Sequence, residues 1–347
     1  MTTVPRPGDA GHRTQARRWR LGQTPWRGEG SHAAPRARVI IDNDFSGDPD
    51  DLYQLVHHVL SPSVEIVAVI ASHLREGDPF DAGPDTAANA FAVAEDVFRR
   101  MGLESTEVIV QGASTGLTSV DEPRDSDAAR RIIAEAMRDD VDTPLFVAVG
   151  GGLTDLASAY LMEPAIADRL TVVWIGGSEH DGLAYPPPDG MPIEYNLLID
   201  VTAGEVVFGG SELHIWQVPR DIYRQCLVSD AELRMRVRDQ GPLGAYLYDE
   251  VRLVIDRATQ EGRGPAETYA LGDSPLVLLT ALQSLFEADP SSSDYVLKPT
   301  PALTSDGAYR PVAGARPMRV YTRVDTRLMF EDFFIKLHEF ERWQGAV

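Results

Sequence analysis

Apolar positions fall along this chain in two alternating rhythms. Strand-like runs occupy 38–42, 64–71, 107–111, 144–150, 170–176 and 212–218, several of them continuous in Val, Ile and Ala. Such unbroken runs are expected of parallel strands buried on both faces. Between them lie helical periodicities at 49–60, 85–101, 125–138, 154–162 and 201–208. In the first, Leu52, Leu55, Val56, Val59 and Leu60 make one apolar face. The alternation predicts an α/β protein with a doubly wound, mainly parallel open sheet and right-handed crossovers. Further on, two helices with charged faces are predicted in 230–258, a more apolar one over 274–286, short strands near 294–298 and 318–324, and an amphipathic helix over 329–343. No repeat or clear linker interrupts the pattern. It reads as a single domain over 37–347, with a helical insertion around 230–270, behind a flexible leader, 1–36.

Ligands of such sheets bind beyond the carboxyl ends of the strands. The stretches that follow the strands are the polar and glycine-rich ones: Asp44 to Asp51, Ser72-His73, Gly150-Gly151-Gly152 and Gly176 to Asp181. The first is the most unusual, with Asp42, Asp44, Asp48, Asp50 and Asp51 inside ten positions. Asp48 suits a helix N-cap, Pro49 the first helical position, and Asp50 and Asp51 the first turn. That leaves Asp42 and Asp44 unexplained. Carboxylates crowded in this way repel unless a cation neutralises them. An all-oxygen donor set favours Ca²⁺ over Mg²⁺. A solvated acidic turn with a good helix cap is the alternative.

Composition narrows the function. The chain has 347 residues, is 43% apolar and carries a formal charge of −21, which argues against nucleic acid and anionic membrane as partners. No apolar run approaches a membrane span. The single cysteine, Cys226, fits a reducing, cytoplasmic compartment. Residues 1–36 are rich in Arg, Gly and Pro. Arg17-Arg18 is followed by no apolar region, so an export signal is not expected.

Other motifs weigh less. Gly112-Ala113-Ser114-Thr115-Gly116 matches a nucleophile elbow, but the next helix begins too late to present Ser114. Asp42-Asn43-Asp44 suggests an aspartate-nucleophile phosphatase, which needs a cation on the phosphoryl group. The only lysines, Lys298 and Lys336, come late in the chain. No P-loop motif occurs.

Taken together, the motifs resemble the inosine-uridine nucleoside hydrolase family. Its D-x-D-P-G-x-D-D signature is similar to Asp42-Asn43-Asp44-Phe45-Ser46-Gly47-Asp48-Pro49-Asp50-Asp51, with two extra residues in the turn. Gly151-Gly152-Leu153-Thr154-Asp155, Ile175-Gly176-Gly177, Glu194-Tyr195-Asn196 with Asp200, and Gly272-Asp273-Ser274-Pro275 follow in family order over about 37–290. The resemblance implies Ca²⁺ on Asp44, Asp51, Asp273 and the Gly150 carbonyl. It further implies ribose contacts from Asp50, Asn196 and Glu194, with Asp273 serving the substrate as well, and Asp44 as the base that activates water. Hydrolysis of a ribonucleoside or related ribosyl compound to base and ribose, as in purine and pyrimidine salvage, would follow. A dimer or tetramer is the family habit. Gly272 stands where the family has a catalytic histidine, and Pro188 where it has an asparagine. His180, or else His73, is then the candidate leaving-group acid. A relative that binds ribosyl compounds without cleaving them is the competing expectation.

Overall fold

A computed structural model describes residues 16–28 and 34–345. Twelve strands are formed among the described residues: β1 Ala37–Asn43, β2 Val64–Ala71, β3 Ile109–Gln111, β4 Leu145–Val149, β5 Leu170–Ile175, β6 His214–Val218, β7 Leu227–Ser229, β8 Thr268–Ala270, β9 Asp294–Pro299, β10 Ala302–Leu303, β11 Tyr309–Arg310 and β12 Pro317–Arg323. Eight of them make the central sheet in the order β3-β2-β1-β4-β5-β6-β12-β9. Every neighbouring pair is parallel except β12–β9. The doubly wound architecture expected from the sequence is therefore present.

The helices are α1 Asp50–Val59, α2 Thr86–Met101, α3 Asp127–Ala136, α4 Thr154–Met162, α5 Tyr195–Ile199, α6 Val201–Gly209, α7 Arg220–Tyr223, α8 Asp230–Arg236, α9 Pro242–Gln260, α10 Pro275–Thr280 and α11 Thr326–Gly345. One core joins the sheet to α1, α2, α9, α10 and α11, and a second joins it to α3, α4 and α6. Within β1, Val39 and Ile41 belong to the first core and Ile40 to the second. Double burial of this kind is why the strand reads as an unbroken apolar run.

Three local differences from the sequence reading have physical causes. Residues 16–28, placed in a flexible leader, are docked on the domain: Trp19 is buried against Trp26 and Phe340 and donates through Nε1 to the Met101 carbonyl at 2.6 Å. Residues 1–15 and 29–33 of that leader lie outside the described residues. The apolar helix expected over 274–286 stops at Thr280, because Arg36 and Ser63 donate to the Ala281 carbonyl and Arg36 also to that of Gln283. Leu285 and Phe286, beyond it, stand exposed. Finally, α1 starts one residue late, at Asp50, with Pro49 at the cap. The Asp48 carboxylate accepts from the Tyr269 hydroxyl.

Candidate active site

Backbone pairing carries on past the strand ends and fixes the carboxyl edge of the sheet. Ser72 N–H donates to Asn43 O at 3.0 Å, Gly150 N–H to Asp42 O at 3.0 Å, and Gly176 N–H to Val218 O at 3.1 Å. The segments after β1, β2, β4 and β5 are thereby held side by side, as the sequence reading required.

Onto this edge come acids from distant parts of the chain. Asp44 follows β1, Asp50 and Asp51 open α1, and Asp273 lies just before α10; all four are buried. Asp51 lies beside both Asp44 and Asp273, and their charges act on it. Asn43 Nδ2 donates to Asp273 Oδ2 at 2.6 Å, and the Asp273 N–H donates to Asp50 Oδ2 at 3.1 Å. These acids are not the solvated turn of the alternative reading. Burial first, and then the charge of Asp273, raises Asp44 to about 8. Burial is also the main reason Asp273 rises to about 7, and it drives Asp50 and Asp51 well above the carboxylate range, helped by their acidic neighbours.

Asp44 Oδ2 and Asp51 Oδ2 are buried with no hydrogen-bond partner, a costly state that a bound cation would relieve. Among the described residues no group of three or more His, Cys, Asp or Glu side chains is arranged to hold a metal ion as it stands. The donor set still fits a hard cation, because its oxygens are clustered, buried and in part orphaned. The Gly150 carbonyl accepts from Asn196 Nδ2 at 2.6 Å, so a cation would use its other lone pair. Glycine is obligatory here: a Cβ would lie 2.0 Å from Asp273 Oδ2.

The remaining candidates hold other positions. Asn196 gives its second amide hydrogen to the Ile175 carbonyl at 2.8 Å, which leaves Oδ1 as its acceptor. Glu194 caps α5 and accepts from the N–H groups of Gly177, Asn196 and Leu197 and from the Tyr223 hydroxyl. Gly177 N–H can approach because this residue has φ +82° and no Cβ, which would strike Tyr309 and Gln217. His180 is not joined to the acids. Its ring stacks on Tyr309, its Nε2 is 2.8 Å from Gln217 Oε1, and burial lowers its pKa. His73 is buried too, with Nδ1 on the Leu74 carbonyl and Nε2 on Thr154 Oγ1, each at 2.9 Å.

The competing motifs also find their places. Gly112 and Gly116 let Asp155 and Asp200 reach the backbone N–H groups of Ala113 and Leu117. Ser114 lines an open cavity of about 430 Å³, and the next helix begins only at Asp127. Lys298 donates to the Asp181 carbonyl and Lys336 pairs with Asp332, so the phosphatase reading gains no phosphoryl-binding lysine.

Sequence reasoning missed the aromatic residues around the acids. Tyr195 donates to Asp78 at 3.0 Å and packs edge-on against Phe80, Tyr269 donates to Asp48, and Tyr223 donates to Glu194 at 2.7 Å. A signal for Tyr223 was available, since it follows β6 on the same carboxyl edge.

The family model for inosine-uridine preferring nucleoside hydrolases matches residues 39–330. Proteins of that description from Leishmania major and Crithidia fasciculata are 29% and 30% identical over 186 and 188 residues. Each alignment takes in 53% of this chain and 55% or 56% of the relative, so the chain spans about half the length of the curated relatives it matches. Similar folds occur in a plant nucleoside hydrolase (TM-score 0.66, 18% identity, 88% of this chain and 99% of that one) and in a purine-preferring ribonucleoside hydrolase from Gardnerella vaginalis with the same four values. An inosine-uridine preferring nucleoside hydrolase from Bacillus anthracis gives 0.62 and 16%, over 87% and 99% of the two chains.

Proposed function

The chain belongs to the inosine-uridine preferring nucleoside hydrolase family, and from that membership we propose that it hydrolyses the N-glycosidic bond of a ribonucleoside or related ribosyl compound, releasing base and ribose. The observation that carries the reading is the meeting of Asp44, Asp51 and Asp273 in one buried cluster with two orphaned carboxylate oxygens. Asp44, Asp51, Asp273 and the Gly150 carbonyl would hold Ca²⁺. When bound, the cation supplies Lewis acidity toward water and an anchor for a pentose diol.

The protein's own groups do the rest. Asp44 takes the proton of the attacking water. Asp50 accepts from one ribose hydroxyl and Asn196 Oδ1 from another. The surrounding carboxylates stabilise the cationic, oxocarbenium-like sugar as the C–N bond breaks. His180 is not assigned the leaving-group proton, because Gln217 and Tyr309 occupy its ring. That arrangement favours one second reading, a ribosyl-binding relative without turnover.

Base release from a panel of purine and pyrimidine nucleosides, with Ca²⁺ or with chelator, separates the two. Release that chelator abolishes is expected. Sugar binding without release from any ribosyl compound would favour the binder. For the ligand set, Asp51→Ala is expected to lose Ca²⁺ binding while the fold persists; unchanged calorimetric affinity would refute it.

A further inference from the structure

Resting on the reading of this cluster as a ribonucleoside site, the question is which atom meets the far end of the sugar. Glu194 is the residue expected there, yet it is 0% exposed. Both its oxygens are already taken: Oε2 by Gly177 N–H at 2.7 Å and Leu197 N–H at 3.0 Å, Oε1 by Asn196 N–H at 3.1 Å and the Tyr223 hydroxyl at 2.7 Å. A carboxylate offers about four lone-pair positions, so a fifth donor would have to displace one of these.

Tyr223 is placed differently. It is half-buried at the end of α7, after β6. Its ring faces Gly272: a Cβ built there would lie 3.2 Å from Tyr223 Cδ2 and 3.2 Å from Asp50 Oδ2. The ring therefore shares the border of Gly272 with the Asp50 carboxylate, while its hydroxyl lies on Glu194. Burial beside Glu194 and Asp50 pushes the phenol far up, so it keeps its proton. That proton goes to Glu194, and the lone pairs of the phenol oxygen remain as acceptors.

We propose that Tyr223, and not Glu194, receives the 5′-hydroxyl of the substrate sugar, with Glu194 acting behind it to orient the phenol. The contact requires a pentose that carries a hydroxyl donor at C5, and the acidic surroundings oppose an anion in its place. The ring holds the space beside Gly272, so the sugar's edge is met by a phenol face.

The test compares inosine with 5′-deoxyinosine. In the natural protein, loss of the 5′-hydroxyl should lower kcat/KM about tenfold, the worth of one hydrogen bond. Tyr223→Phe keeps the ring and should lower kcat/KM for inosine about tenfold while leaving 5′-deoxyinosine within about twofold. An equal loss on both substrates would reveal a merely structural tyrosine and overturn the assignment, and so would no loss on either. Calorimetric binding of the same two nucleosides reads the same contrast without turnover. Failure of the natural protein to release any base therefore sinks the hydrolase reading alone, and failure to bind either nucleoside sinks both.

Discussion

At Gly150 one hydrogen atom decides whether the carboxylates can meet. A methyl group there would press on Asp273 Oδ2 and on both atoms of the Asn43 amide. Gly150→Ala should cost about 1–3 kcal/mol of stability, as overpacking does, and abolish cation binding; denaturant unfolding and calorimetry check the two effects. For His180, whose ring is a packing element between Gln217 and Tyr309, His180→Ala should slow inosine and nitrophenyl ribosides alike. Selective slowing of inosine would restore it as the acid. Asp44, Asp50, Asp51 and Asp273 were legible in the sequence because carboxylates at strand ends have few bland explanations. Asn43, Tyr195 and Tyr269 were not, because a tyrosine or asparagine gains meaning only when another element brings it an acid.

At the scale of elements, α1 carries two histidines, His57 and His58. Both are fully enclosed. His57 Nε2 donates to Asp332 at 2.8 Å, and His58 lies between Gln54 and Thr280. Burial lowers His57 to about 4 and His58 well below its ordinary value. For a base whose folded pKa is depressed, stability is full above the unfolded value of about 6.5 and is lost as pH falls through the folded value. The buried carboxylates slope the other way, so the histidine contribution is read as the difference in urea midpoint between the natural protein and His57→Gln: constant above pH 6.5 and shifting toward pH 4, by up to about 3 kcal/mol for His57. The long elements were readable because burial on two faces or one writes a clear period. Short pieces such as α5, α7, the β7–β8 pair and the β10–β11 pair were missed, since two to five residues carry no period. The overlong 274–286 shows the opposite error: apolar residues continue past the point where Arg36 and Ser63 take the carbonyls of Ala281 and Gln283, just after the helix.

On the scale of the whole molecule, residues 16–28 join the two ends of the described chain. Trp26 packs on Phe340 and Trp343, Arg17 N–H donates to Gln344 Oε1 at 2.7 Å, and Trp19 lies on the last turn of α2. Trp19→Ala should lower the unfolding free energy by about 3 kcal/mol, measured by denaturant unfolding; no change would return the segment to the role of a loose leader. Among the described residues no helix is long and apolar enough to cross a membrane.

Asp273 stands at the foot of an excursion running from β7 through α8 and α9 to β8. That excursion is closed by the antiparallel pairing of Leu227–Ser229 with Thr268–Ala270 and by Leu271 N–H on the Cys226 carbonyl. Whatever steadies Asp273 therefore steadies the neck of a long excursion whose helix α9 packs into the first core. Loading the carboxylates should slow amide hydrogen exchange across 227–270, so occupancy of a buried site could be followed from peptides that contain none of its ligands.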